Sequence, residues 1–363
     1  MVRENRRRGG KDIRSLVFIV PGRLDTRTGG YEYDRRIIAG LRARDWSVDV
    51  QELDARFPHP TSAALDEAAR VLAAISDRTR VVIDGLALGA MPAEVEREAS
   101  RLRIVALIHL PLAAEIDIGR DEAARLEAGE RRALAAASLV IVTGTVTTAA
   151  LASYRVPSHL IIVVEPGTDR APLARGSRDG PLQLLCVATL NPGKGHDFLL
   201  RALAVAPHDN WRLTCAGSLD RHPPTVERVR ARIAADGLEA RVSLIGDLDA
   251  ASLAACYDAA DLFVLATLNE SYGMAVAEAL ARGLPVVSTA TGAIPDLVGD
   301  EAGLLVPAGD ASAFTTALSR VLGDRHLRAR LAEGARRRRP RLPTWEDAAD
   351  NMSAALERVA TDG

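Results

Sequence analysis

Lysine is nearly missing from this chain. Of its 46 basic side chains only Lys11 and Lys194 are lysines, and the rest are arginine. There is no excess of either charge, since 48 acidic residues leave a formal net charge of -2, which argues against a general polyanion binder and against nucleic acid as a partner. No apolar run approaches the roughly 18 residues needed to cross a bilayer, and the early run SLVFIV is shorter than a signal-peptide core and reads as a first strand. Cysteine is scarce: Cys186, Cys215 and Cys256 each sit in an apolar stretch, without CxxC or a histidine at metal spacing, and read as reduced, buried thiols of a cytoplasmic protein. No strand-to-helix turn carries G-x-G-x-x-G, which excludes the usual nicotinamide or flavin dehydrogenase. The Walker pattern also fails around Lys194, where the first glycine is replaced by Ala188 and the hydroxyl residue by Gly195.

What the chain does have is a repeated strand-then-helix pattern. SLVFIV, SVDVQEL, RVVIDGL and RIVALIHL are each followed by an amphipathic stretch, and SLVIVT and HLIIVVEPG flank a short helix beginning near Thr145. Near-continuous apolar strands imply a parallel sheet covered on both faces. Residues 169–180, DRAPLARGSRDG, are rich in turn formers and read as a linker. The alternation then resumes with LQLLCVATL, WRLTCAGS, RVSLIGD, LFVLAT, PVVSTA and GLLVPAG. With 363 residues, two α/β domains are expected, 14–168 and 181–343. An amphipathic tail at 344–360 is expected to cross back to the first. Two doubly wound, Rossmann-like domains place the carboxyl ends of their strands around a shared cleft, so function belongs in the loops that follow strands.

Three such loops carry chemistry. Gly29 and Gly30 precede a helix and let a ligand approach backbone N–H groups, although a merely softened loop fits them as well. Lys194, between Gly193 and Gly195, stands at a strand-to-helix turn where an ammonium suits a phosphate; a solvated loop lysine would look the same. His196 and Asp197 just after it read as helix-capping residues. Glu270 follows a strand, and the backbone through Ser271, Tyr272 and Gly273 opens a helix whose buried face is expected to include Met274, Val276, Ala277 and Leu280. Glu278, at the margin of that face, either pairs with Arg282 at i,i+4 or faces the cleft.

Residues 262–310 resemble the E-x7-E region of family 4 retaining glycosyltransferases with the GT-B fold, Glu270 and Glu278 matching both acids. The resemblance extends through Gly29 and Gly30, His109 after the fourth strand, the EPGTD of Glu165 to Asp169, Lys194 with Gly195, Gly217 and the closing TWEDAA. It implies that Glu278 binds ribose hydroxyls, that Lys194 contacts the diphosphate, and that Glu270 with the amides near Gly273 and Met274 orients the donor sugar. His109 would meet the sugar or the transferring centre, and Gly30 would let amides reach the phosphate. The base would lie near Gly246, Asp247 and Leu248, so the D-x-D of Asp247 to Asp249 is read as a decoy with Asp249 as an N-cap. One departure stands out: where the family usually carries an arginine before the lysine, this chain has Thr189, which offers only a neutral hydrogen bond. Arg23, Arg27 or another arginine is needed to make up the charge, or donor binding is looser.

The expected activity is transfer of a hexose from a nucleotide diphosphate sugar to a hydroxyl acceptor (a glycan, a lipid or a small molecule), with retention, no metal and no further cofactor. An epimerase or phosphorylase on the same frame would instead yield an isomer or a sugar phosphate, and a two-lobed binding protein would release no nucleoside diphosphate. The arginine runs 6–8 and 336–339, with Arg341, fit either a solvated surface or peripheral contact with anionic lipid at the inner face of the membrane.

Overall fold

The structure is a computed structural model that describes residues 14–359 except 115, 178 and 179; the Arg6–Arg8 run lies outside the described residues. Two six-stranded sheets form, and every strand pair is parallel. The first contains β1 (Ser15–Pro21), β2 (Ser47–Leu53), β3 (Arg80–Asp84), β4 (Arg103–Ile108), β5 (Leu139–Val142) and β6 (Ile161–Val163) in the order β2-β1-β3-β4-β5-β6. The second contains β7 (Leu182–Val187), β8 (Trp211–Ala216), β9 (Val242–Gly246), β10 (Leu262–Leu265), β11 (Val286–Thr289) and β12 (Gly303–Val306) in the order β12-β11-β10-β7-β8-β9.

Burial along the strands follows their place in each sheet. Central strands such as β3, β5 and β10 are buried at every residue, because helices cover both faces. The edge strands β2 and β9 alternate, and their Asp49, Ser243 and Ile245 face outward. The first sheet therefore has a core on each face, one built on Val17, Ile19, Leu72 and Ile104 and the other on Phe18, Tyr33, Ile37 and Leu41.

Helices begin where short polar side chains can accept from free amides. Thr28, Thr61, Asp249, Asp310 and Thr344 all cap helices in this way. Thr344 and Asp347 complete a reciprocal capping box at the last helix, Trp345–Glu357. That helix returns to the first sheet. It buries Ala348, Met352, Ala355 and Leu356 in the core that contains Tyr33, Trp46 and Val48, and sets Ala349 against Gly40. Side chains of the size of Met352 and Leu356 contribute about 1.5–3 kcal/mol each when fully buried. Two polar contacts fix the register: Trp46 Nε1 donates to Ser353 Oγ at 2.9 Å, and Arg80 Nε donates to the carbonyls of Leu356 and Val359 at 3.1 Å.

Each sheet reverses its winding at one place, between β1 and β3 in the first and between β7 and β10 in the second. At such a switch point the flanking loops diverge and leave a crevice beyond the carboxyl ends of the strands. The loops after β1, β3 and β4 thus face those after β7 and β10.

Candidate active site

The second sheet's crevice brings Lys194 and Glu270 together from loops 76 residues apart, with Nζ 2.7 Å from Oε2. Both are largely sheltered, their side chains 23% and 14% exposed. The lysine loop is shaped by Asn191, whose side chain accepts from the Lys194 amide at 3.1 Å, and by Gly195, which adopts φ +65° and passes so close to β10 that a Cβ there would lie 2.0 Å from the Ala266 carbonyl oxygen. Leu268 N donates to the Gly193 carbonyl at 2.7 Å, locking the two loops to each other. Thr189 stands at the end of β7 beside Gly217. Gly273, at φ +98°, opens the helix Met274–Ala281.

Glu278 is part-buried on that helix. Arg282 donates to its backbone carbonyl at 3.0 Å, and among the described residues the two side chains make no ion pair within 4.0 Å; the Arg282 guanidinium instead lies 4.4 Å over the Tyr257 ring. The i,i+4 ion pair is therefore not made, and the carboxylate lies beside the Tyr257 hydroxyl instead. Burial raises its pKa, partly opposed by the Tyr257 hydroxyl and Arg282, while the charges of Glu32 and Asp169 push it further up.

The first domain meets these loops at several points. A Cβ on Gly29 would lie 3.8 Å from Met274 Sδ, Asn269 Nδ2 donates to the Ala114 carbonyl at 2.6 Å, and Arg36 pairs with Asp169. His109 follows β4 with Gly30 against its ring, a Cβ there falling 3.5 Å from Cδ2. Its Nε2 is 3.3 Å from Asp34 Oδ1 and 3.5 Å from Asp84 Oδ2.

The Tyr272 side chain is buried with its hydroxyl unpartnered among the described residues, which agrees with reading that residue by its backbone. Met274 is only partly buried: it packs against the second-domain core as expected, with its sulfur near Gly29. Several expectations need correction. His196 and Asp197 cap nothing: Gly195 occupies the cap position, His196 is buried with Nε2 3.7 Å from Cys186 Sγ, and Asp197 pairs with Arg201 and Arg232. Cys256 is only partly buried. Of the arginines that could make up the charge, Arg23 is exposed and paired with Asp25, the charge of Arg27 acts on Asp249, and that of Arg221, after β8, acts on Tyr31. Asp247 is exposed beyond β9, and Asp249 accepts from Ser252 N at 2.7 Å. In the second arginine run, Arg338 and Arg339 donate to the carbonyls of Leu297, Asp296, Ala281 and Ala171, and Arg336 and Arg337 pair with Glu333 and Glu301. These side chains brace the second domain, while Arg336, Arg337 and Arg341 keep half or more of their surface exposed.

Two groups of donor atoms also escaped linear spacing. Cys186, His196 and Cys215, and separately Asp34, Asp84 and His109, each bring three donors within 4.8 Å of one another. In the first, Cys186 and Cys215 are register partners across β7 and β8; the hydrogen bond from Cys215 and the nearby His196 lower the Cys186 pKa, while that same contact and burial raise that of Cys215. Strand register alone could have found the pair. In the second, hydrogen bonds between imidazole and carboxylates account for the geometry.

Residues 169–338 match the model of the glycosyl transferases group 1 family. That stretch belongs to this family. A D-inositol 3-phosphate glycosyltransferase of Xylanimonas cellulosilytica is 36% identical over 175 residues, 48% of this chain and 41% of that protein. An MMP alpha-(1->4)-mannosyltransferase of Mycolicibacterium hassiacum is 27% identical over 336 residues, 86% of this chain and 79% of that protein. The chain spans half or less of the length of the first three inositol-phosphate relatives it matches. Among solved structures, sucrose-phosphate synthase from Thermosynechococcus elongatus superposes with a TM-score of 0.79 at 22% identity, covering 95% of this chain and 98% of that one. Anabaena HepE, solved with UDP and glucose, gives 0.75 at 18% identity over 95% and 99%. The fold of this chain is GT-B.

Proposed function

We propose that the protein is a retaining glycosyltransferase that moves a hexose from a UDP- or GDP-sugar to a hydroxyl acceptor in the cytoplasm. The observation that carries the reading is the Lys194–Glu270 pair at the second sheet's switch point, opposite Gly30 and His109. Group 1 membership of residues 169–338 and the glycosyltransferase names of the relatives support it. Glycans, lipids and small molecules remain the acceptor classes.

Catalysis would be electrostatic. In the donor complex Lys194 turns its ammonium to the diphosphate, and the amides at the start of the Met274–Ala281 helix add partial positive charge where the leaving group gains its negative charge. Glu270, released from Lys194, accepts hydrogen bonds from the sugar hydroxyls, and Glu278 does so from the ribose. Gly29, Gly30 and His109 close the cleft from the first domain, exclude water and fix the reacting groups. The acceptor hydroxyl gives its proton to the departing phosphate, so no enzyme base is assigned.

A thermal-shift panel of UDP- and GDP-sugars tests the donor, followed by proton NMR of the anomeric centre in product formed with a trial acceptor. Stabilisation by one donor class, nucleoside diphosphate release that requires acceptor, and an unchanged anomeric configuration are expected. Isomer or sugar phosphate without an adduct, or binding without turnover for every acceptor class, would refute transfer; an inverted product would refute retention alone.

A further inference from the structure

At the ends of β7 and β10 the second domain offers little free positive charge for a diphosphate, and Arg221 lies further out, after β8. Thr189 is neutral, and Lys194 already faces Glu270 at 2.7 Å. A cation from across the cleft would restore the balance, and the first domain has the parts to hold one.

Asp34 lies on the inner face of the helix Gly29–Arg42 among Tyr33, Ile37 and Leu41, and is only 1% exposed. Asp84 ends β3 and is 4% exposed. One of its oxygens, Oδ1, accepts from Leu86 N at 2.8 Å, and the other turns to His109. Buried carboxylates are costly unless a proton or a cation compensates them. Both converge on one imidazole nitrogen, and the charge of Asp34, joined by that of Asp84 when it is ionised, favours a protonated ring. The rest of the setting holds the ring still. The Tyr33 ring meets it edge-on at 5.3 Å, and the hydroxyls of Thr143 and Thr147 donate to the His109 carbonyl at 3.5 and 3.4 Å. The ring keeps 23% of its surface open, beside Gly30.

We propose that Asp34 and Asp84 are positioning residues that keep His109 as an imidazolium facing the cleft, where it supplies the sugar diphosphate with the positive charge that Thr189 does not. The ligand half of the proposal rests on the nucleotide-sugar reading; the charge half does not. Burial disfavours the charged ring, but the Asp34 hydrogen bond and the charges of Asp34 and Asp84 outweigh it, and the His109 pKa rises above 6.5. Burial and the neighbouring Asp34 in turn push Asp84 up to about 7. Among the described residues these two carboxylates are the charged groups acting on the ring from the elements packed against it.

The test combines NMR titration of histidine-labelled protein between pH 5 and 9 with calorimetry of UDP and GDP binding over the same range. His109 is assigned by its loss in His109→Gln. In the wild type it should titrate above 6.5, and in Asp34→Asn or Asp84→Asn about one unit or more lower. At pH 8, Asp34→Asn and His109→Gln should bind the preferred diphosphate roughly tenfold more weakly than wild type; at pH 6, Asp34→Asn should recover and His109→Gln should not. A side chain that merely braces the fold would not give rescue by acid. Asp84→Asn stands in if Asp34→Asn fails to fold, and the wild-type titration needs no variant beyond the assignment. A wild-type value at or below 6.5, or undiminished binding by Asp34→Asn at pH 8, would overturn the proposal. Wild type that binds neither UDP nor GDP would remove the ligand half together with the nucleotide-sugar reading, while the titration still decides the charge.

Discussion

The Lys194–Glu270 pair allows a test in which two conservative changes move one affinity in opposite directions. In the free protein the ammonium and the carboxylate satisfy each other at 2.7 Å, and both side chains keep some contact with water. Pairs of this kind contribute about 0.2–1 kcal/mol to stability. Lys194→Ala and Glu270→Gln should therefore each lower the melting temperature by no more than about 2–4 °C in a domain of this size. Binding is another matter. Lys194→Ala removes a charge-assisted hydrogen bond to phosphate, worth about 1.5–3 kcal/mol, so UDP or GDP should bind some 10- to 150-fold more weakly. Glu270→Gln removes a carboxylate that competes for the ammonium and repels phosphate, so the bare nucleoside diphosphate should bind as well as before or more tightly. Transfer by Glu270→Gln should nonetheless fall, because the sugar loses an ionised hydrogen-bond acceptor. Calorimetry on wild type, both single variants and the double variant measures the contrast, and the double variant should resemble Lys194→Ala. Equal weakening of diphosphate binding by the two single changes, or none by Lys194→Ala, would show that the pair is only a brace between loops.

Two further outcomes follow from the scaffold around the site. Gly195→Ala forces an L-residue to φ +65° and drives a methyl group to 2.0 Å from the Ala266 carbonyl oxygen, so the loop must move; differential scanning calorimetry should show a loss of about 2–4 kcal/mol, and a melting temperature equal to wild type would contradict the geometry. Glu130 is fully buried, accepts from the Leu112 amide at 3.0 Å and is raised by burial from 4.5 to about 7. A carboxyl whose folded pKa is raised favours the folded state fully at low pH and loses that contribution as pH climbs from about 4.5 to about 7. At about 1.36 kcal/mol per unit, the loss is at most about 3 kcal/mol. Glu130→Gln should thus be more stable than wild type in urea at pH 8 and lose the advantage at pH 5, and the same difference at both pH values would refute the shift.

The strands were legible because parallel sheets bury central strands on both faces and leave short apolar runs such as RVVID and LVIV that no helix period explains. Loop residues at strand ends were legible for a related reason: a lysine among arginines, and glycines before a helix, stand out against any background. Asp34 was not. It sits one residue after Tyr33 in an amphipathic stretch, and its place on the buried face opposite His109 shows only once that helix packs on the sheet. Asp84 looked like the last residue of a strand, and its second oxygen gains meaning only when β4 lies beside β3 in register. The Cys186–Cys215 neighbourhood failed in the same way, since 29 residues separate partners that strand register makes adjacent.

The two halves of the cleft differ in how they hold charge, and this bears on how it closes. On the second-domain side the charges are opposite and mutually satisfied, Lys194 with Glu270, so the free protein exposes little unbalanced potential. On the first-domain side a buried pair of carboxylates encloses one imidazole, and the charge there is set by protonation rather than by a mobile partner. A sugar diphosphate entering between them would break the first arrangement and leave the second intact. On the proposed reading its phosphates would take Lys194 from Glu270, and the freed carboxylate would then accept from the sugar. Binding of the diphosphate alone should therefore leave Glu270 without a partner, at an energetic cost that the sugar relieves. UDP-sugar should in consequence bind more tightly than UDP to the wild type, and the difference should shrink in Glu270→Gln, where no charge is left stranded. Calorimetric affinities of the two ligands for the two proteins give that difference directly. Equal discrimination by both would mean that Glu270 does not pass from the lysine to the sugar.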